Sequence, residues 1–171
     1  KRQERLSQRL PQALRRMTQR EPLHILALGN AGAFQMNPEE DKSALLDSFP
    51  GLFARELATQ FFYTGGVHEA GPRDDSLALN PGITLRLLDG STGSIQEAAA
   101  ILNSTARQAP VNLVLLCYGQ KEALAGMSPV TFINAVKKAV EAAEEMGAEV
   151  ILCSPWLSMS DKPEVSLGVS R

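Results

Sequence analysis

The fold is decided by the stretch LHILALG at residues 23–29, an almost continuous apolar run that ends in glycine. Three further short apolar runs lie at residues 83–88, 111–116 and 150–153. The first, third and fourth runs show little polar alternation, which is typical of strands that are covered on both faces in a parallel sheet. The sequence therefore predicts four buried parallel strands.

Helical segments with clear start signals lie between these runs. Ser48 and Ser128 each precede a Pro-initiated segment, and Ser94 with Glu97 forms a capping-box pattern. Strands that alternate with helices predict an α/β fold with a doubly wound parallel sheet of the flavodoxin-like type and helices on both faces. The segment 63–82, rich in Gly, Pro and Asp, predicts a loop. The apolar positions expected to face inward are Leu52, Phe53, Leu57 and Phe61, then Ile95, Ala98, Ala99, Leu102 and Ala106, then Ile133, Val136 and Val140.

Composition sets limits on function. The chain has 171 residues, 44% of them hydrophobic and 21% charged, which suits one globular domain with a full core. A net charge of −2 gives no reason to expect nucleic-acid binding. No apolar run reaches the roughly 18–20 residues that span a bilayer, and no signal-peptide pattern is present. Because the chain begins at Lys1, we expect a piece of a longer protein; its compartment is left open.

The first 21 residues differ from the rest. They carry seven Lys or Arg against two Glu, a net of +5, so the remainder carries −7. Leu6, Leu10, Leu14 and Met17 recur at helical spacing, interrupted by Pro11. This pattern predicts a basic helical leader at residues 1–21, laid against the domain that follows. A basic polar face also suits an anionic membrane or a protein partner, so such a contact through the leader is the alternative.

Cys117 and Cys153 both lie in apolar runs that predict strands. The favoured interpretation is two buried thiols that pack as small hydrophobic groups. A disulfide between neighbouring parallel strands is the alternative. Two Cys and two His, scattered without ligand spacing, predict no metal site, and nothing predicts a cofactor.

Polar blocks follow the predicted strands, at the edge where a parallel sheet binds ligands. They are GNAG at 29–32, DGSTGS at 89–94, GQKE at 119–122 and SPW at 154–156. In order and spacing these blocks resemble those of the SGNH (GDSL) hydrolases. That family has a strand ending in Gly-Asp-Ser with the nucleophilic Ser, a second block whose Gly N–H helps to form the oxyanion hole, and a third block Gly-x-Asn-Asp.

The resemblance gives each block a counterpart in this chain. Asn30 and Ala31 take the positions of the family's Asp and Ser, and Gly93 that of the oxyanion-hole Gly. Lys121 and Glu122 take those of the Asn and Asp. The resemblance implies an SGNH-type α/β domain over residues 22–171. The family's final Asp-x-x-His block lies one strand–helix unit further on, so we expect this chain to lack that unit.

Ester hydrolysis needs an oxygen or sulfur nucleophile and a base of near-neutral pKa. Ala31 supplies no such atom, and no other residue is assigned a catalytic role. We therefore expect a catalytically degenerate domain that serves as a binding or scaffold module. The predicted ligand is a small molecule, a carbohydrate or an anion, held in the former crevice by Asn30, Gly93, Gln120 and Lys121.

The two histidines are poorly placed for the missing base. His24 lies near the start of the first strand, which predicts a structural role, and His68 falls in the predicted loop. Ser91 and Ser94 flank Gly93, but Ser94 suits a helix N-cap, and Ser91 has no visible base.

The sequence leaves two alternative functions. The first is a divergent SGNH-type esterase acting on carbohydrate or lipid esters, with a relocated nucleophile or with catalytic residues beyond Arg171. The second is a nucleotide-binding Rossmann domain, suggested by the glycines at 29–32. The second is disfavoured because the block is not Gly-x-Gly-x-x-Gly and a long polar segment separates it from the next helix.

Overall fold

The computed structural model describes residues 8–29, 48–71, 79–89, 93–105 and 109–153. Five strands form one sheet in which every neighbouring pair is parallel. They are β1 (Leu23–Gly29), β2 (Val67–Ala70), β3 (Ile83–Asp89), β4 (Leu113–Cys117) and β5 (Glu149–Leu152). Their order across the sheet is β2-β3-β1-β4-β5. The predicted α/β class with a doubly wound parallel sheet is confirmed.

Helices cover both faces of the sheet. One face carries α1 (Pro11–Gln19) and α2 (Phe49–Gln60), and the other carries α3 (Ile95–Thr105) and α5 (Pro129–Glu145). The short α4 (Gln120–Leu124) follows β4 directly. The helices α3 and α5 pack closely against each other, and their buried alanine and isoleucine residues are Ile95, Ala98, Ala135, Ala139, Ala142 and Ala143.

The side chains of β1 alternate between the two cores. Leu23, Ile25 and Ala27 belong to the core under α1 and α2, and Leu26 and Leu28 belong to the core under α3 and α5. All seven residues of β1 are buried, as the continuous apolar run predicts for a central strand.

The structure corrects several sequence predictions. The segment 63–82 is not all loop, because Val67–Ala70 forms β2 at the edge of the sheet. β5 is the opposite edge of the described sheet and is only half-buried, although the sequence predicted a fully buried strand. Ile133 is 51% exposed and Leu52 is 56% exposed, so neither faces inward. Ala106 lies outside the described residues.

Part of the predicted leader is packed into the domain. As predicted, the helical pattern is interrupted at this point: Gln8 and Arg9 are helical, Leu10 is a bend, and Pro11 begins a new helix, α1, where the missing N–H of proline costs nothing. Ala13 and Met17 are buried in the core, and the Glu149 carboxylate accepts hydrogen bonds from the N–H groups of Gln12 and Ala13 at 2.8 and 2.7 Å. The apolar face of α1 is therefore used within the domain. A membrane or protein contact through residues 1–21 stays a prediction.

Among the residues that the structure describes, no helix combines the length and the apolar character needed to cross a bilayer.

Candidate functional site

The carboxyl ends of the three central strands meet in one row. Gly29 pairs with Asp89 of β3 on one side and with Cys117 of β4 on the other. A Cβ atom at Gly29 would lie 2.7 Å from the Cβ of Cys117 and would also collide with the Cys117 carbonyl oxygen. Glycine is required here because the backbone of β4 occupies the space of a side chain.

A buried carboxylate joins two turns at this edge. Glu122, 3% exposed, accepts a hydrogen bond from the Ile95 N–H at 3.0 Å and another from the Gly119 N–H at 2.9 Å. Ile95 begins α3, so Glu122 satisfies one of the free N–H groups of that helix and places negative charge at its positive end. Gly119 reaches the necessary backbone geometry with φ of 127°. The carboxylate thereby binds the two turns together.

This bond pattern occupies backbone donors that an oxyanion would need. An oxyanion hole consists of N–H groups aimed at the position where charge develops. At this edge the Gly119 and Ile95 N–H groups point at an internal carboxylate instead. An anionic ligand at the same place would have to displace Glu122 from a buried position, which is costly.

The predicted ligand-binding residues fall near this pair of turns. Gly93 is buried two residues before Ile95, and Gln120 is half-buried beside Gly119. Lys121 is exposed on α4. Glu122 therefore brings the Gly93 and Gln120 turns together. Asn30 and Ala31 lie outside the described residues, as does Ser91.

Ser94 acts as the predicted helix cap. Its Oγ accepts a hydrogen bond from the Gln96 N–H at 3.2 Å. The N–H of the preceding residue, Ile95, donates to Glu122 from another element. Ser94 thus has a structural task in starting α3.

Both histidines lie far from the carboxyl edge. His24 and His68 each align with Thr84 in the sheet, and His24 precedes Gly29 by five residues, about 16 Å along the strand. His24 is 3% exposed, and its N–H donates to Oδ1 of Asn112 at 3.0 Å. His68 is exposed on β2, where its ring Nε2 donates to the Gly65 carbonyl oxygen at 2.6 Å. Neither can serve as a base at the carboxyl edge.

An apolar cavity of about 450 Å³ opens beside the two turns. It lies over the ends of β4 and β5, between α3 and α5. Its volume falls in the roughly 300–1,000 Å³ range of small-molecule sites. The described Gly93, Gln120 and Lys121 do not line it; the lining residues are Ile95, Leu116, Tyr118, Phe132, Ile133, Val136, Lys137, Leu152 and Cys153.

Tyr118 gives this cavity a buried polar group. The side chain is 4% exposed, and its hydroxyl has no hydrogen-bond partner within the part of the chain that the structure describes. Burial, followed by the nearby charges of Glu122 and Glu97, raises the pKa of Tyr118 to about 12. At neutral pH it is therefore a hydroxyl that can donate a hydrogen bond. Buried polar groups are normally satisfied, so this one needs an explanation.

No three His, Cys, Asp or Glu side chains in the described ranges lie close enough together to hold a metal ion. The chain matches no protein-family model, no curated protein and no solved structure.

Sequence reasoning missed the cavity residues and the bridging role of Glu122. A weak signal for Tyr118 was present, since it stands one residue beyond a predicted buried strand at the ligand-binding edge. No local signal shows that Glu122 reaches a helix that begins 27 residues earlier.

Proposed function

We propose that this domain is a catalytically silent relative of the SGNH hydrolases that binds a small amphipathic carboxylate at the carboxyl edge of its sheet. The observation that carries the proposal is the apolar cavity of about 450 Å³ whose wall includes Tyr118, a residue with a buried hydroxyl that has no hydrogen-bond partner among the described residues. Such a combination, mostly apolar lining with one or two polar groups, is usual for sites that bind small molecules.

The polar groups of the cavity favour an anionic head group. Tyr118 offers a hydroxyl donor, and Lys137 on α5 lines the same cavity. A lysine ammonium is charged at neutral pH, and together with a phenol hydroxyl it complements a carboxylate. The apolar side chains of Leu116, Phe132 and Val136 suit an alkyl or aromatic body. The ligand class is thus an organic acid with one apolar chain.

The absence of catalysis is supported by three features of the edge. Ala31 stands where the resemblance requires the nucleophile. Both histidines lie near the amino-terminal ends of their strands, away from the carboxyl edge. Two backbone donors at the carboxyl edge are bonded to Glu122. Together these features support binding without turnover.

Calorimetric titration with decanoate tests the proposal. We expect decanoate to bind, 1-decanol of the same chain length to bind about tenfold more weakly, and glucuronate, which has no alkyl chain, to give no heat. Val136→Trp should abolish binding because the indole fills the cavity. Val130→Trp is the matched control, since Val130 is exposed on the same helix and does not line the cavity.

Tyr118→Phe should weaken decanoate binding by at least about tenfold, since a hydrogen bond to a charged group is worth about 1.5–3 kcal/mol. Circular dichroism of each variant checks that it is folded. If no probe binds the parent chain, or if Val130→Trp weakens binding as much as Val136→Trp, the cavity is not a ligand site. Stoichiometric fluorophosphonate labelling of one serine would instead establish the alternative of an esterase with a relocated nucleophile.

A further inference from the structure

The two cysteines of the chain lie side by side at the carboxyl edge. β4 and β5 pair in parallel up to Leu116 and Leu152, and Cys117 and Cys153 are the next residue of each strand. The Cys153 N–H donates to the Leu116 carbonyl oxygen at 2.9 Å, so the pairing continues to this point. Both side chains face the core under α1 and α2. They are therefore neighbours on one face of the sheet.

This placement meets the spacing that a disulfide requires. Adjacent strands lie about 4.8 Å apart, within the roughly 4.4–6.8 Å between Cα atoms that disulfides span. The two thiols are close enough for each to shift the pKa of the other. Cys117 is buried and Cys153 is half-buried, so a reagent reaches Cys153 first.

We propose that Cys117 and Cys153 form a reversible dithiol–disulfide couple that links β4 to the edge strand β5 by exchange with a low-molecular-weight disulfide. Cys153 is the attacking residue and Cys117 is the resolving residue. The proposal does not depend on the ligand suggested above, and it is tested without that ligand.

Burial assigns these two tasks, because Cys117 is buried and Cys153 is only half-buried. The interaction between the two thiols raises the pKa of Cys117, with burial adding to the rise, and lowers the pKa of Cys153. Cys153 therefore ionises first. Since the thiolate is the nucleophile in exchange, the more exposed sulfur is also the more reactive one.

The exchange balances in two steps. The Cys153 thiolate attacks one sulfur of the reagent RSSR, a bond forms between Cys153 and RS, and RS⁻ leaves. Cys117 then loses its proton and attacks the Cys153 sulfur, which breaks the bond to RS and releases a second RS⁻. The two thiolates take up the two protons released by the cysteines. The protein dithiol is oxidised by two electrons, and RSSR is reduced to two RSH.

Incubation of the full chain with oxidised glutathione, followed by peptide mapping in a mass spectrometer, tests the couple. We expect a Cys117–Cys153 linked peptide, a mass lower by two hydrogens, and reversal by dithiothreitol. The oxidised protein should melt at least about 5 °C above the reduced protein, because the bond closes a loop in the unfolded chain.

Two variants assign the roles. In Cys117→Ala the mixed disulfide on Cys153 should accumulate, because nothing resolves it. In Cys153→Ala the buried Cys117 should react at least tenfold more slowly than the parent protein. Cys117→Ser provides a second resolving-residue variant if the alanine variant is unstable. A parent chain that stays unmodified, or that keeps a stable mixed disulfide on Cys153, would overturn the proposal.

Discussion

Two neighbouring parts of the carboxyl edge treat buried polar groups in opposite ways. At the turns before α3 and α4, the Glu122 carboxylate satisfies the N–H groups of Ile95 and Gly119. A short distance away, the Tyr118 hydroxyl is buried without a partner in the described structure, at the wall of an apolar cavity. At the turns, the N–H groups are already bonded to Glu122 and are closed to an anion. At the cavity wall, the Tyr118 hydroxyl offers an unused donor. This difference favours a domain that binds a molecule over one that stabilises an oxyanion.

The largest expected effect concerns the two turns that Glu122 joins. Glu122→Ala removes the acceptor of two N–H groups, and each buried donor left without a partner costs about 2 kcal/mol, so the free energy of unfolding should fall by about 4 kcal/mol. Glu122→Gln keeps one acceptor oxygen and should lose about half as much. Urea denaturation measures both.

Glu144→Ala is the control for this comparison, because Glu144 is exposed on α5 and its removal should change stability by less than about 0.5 kcal/mol. A Glu122→Ala variant within 1 kcal/mol of the parent would show that the carboxylate does not hold the two turns together. If that variant does not fold at all, Glu122→Gln provides the measurement.

The sequence was sufficient for most of the fold because the central strands are surrounded by protein. β1 and β4 are buried on both faces, so their runs are almost purely apolar and easily recognised. β2 was missed because it has only four residues, VHEA, and the two in the middle are polar and exposed. An edge strand pairs on one side only, and so it carries little of the hydrophobic signal on which such predictions depend.

The site was less predictable because its parts come from different elements. Sequence reasoning pointed to the carboxyl edge of the sheet, because ligands generally bind at that edge in parallel α/β folds. It did not find the cavity, which forms only where β4, β5, α3 and α5 pack together. The prediction that Ile133 faces inward was also wrong, because the buried residues of α5 are alanines and not the larger side chains.

The next prediction compares Tyr63, whose hydroxyl has a hydrogen-bond partner, with Tyr118, whose hydroxyl has none in the described structure. The Tyr63 hydroxyl donates to the Glu21 carbonyl oxygen at 2.8 Å, whereas the Tyr118 hydroxyl has no partner among the described residues. Burial is the main cause that raises the pKa of each to about 12. Folding favours the protonated form of each tyrosine, and this preference adds to the free energy of unfolding. The contribution is complete below pH 10, which is the pKa of tyrosine in the unfolded chain, and it is lost as the pH rises to 12.

Each tyrosine should contribute about 2–3 kcal/mol to this alkaline loss, from a shift of about two pKa units. Absorbance of ionised tyrosine, recorded against pH beside circular dichroism, follows both groups, because the chain has only two. We expect no ionised tyrosine in the folded protein at pH 10. Ionisation of one tyrosine near pH 10 without unfolding would show that its side chain is open to solvent, and would remove the contrast if that residue is Tyr118.

The smallest expected effect is the sharpest test of the Tyr118 hydroxyl at the cavity wall. Tyr118→Phe removes a hydroxyl that has no partner in the described structure, so the free energy of unfolding should stay constant or rise by up to about 1 kcal/mol. Tyr63→Phe is the matched variant, and it should lose about 1 kcal/mol because a real hydrogen bond disappears. Urea denaturation without added ligand compares them. If Tyr118→Phe loses as much as Tyr63→Phe, the Tyr118 hydroxyl is already satisfied within the protein, and the cavity has no free donor for a ligand.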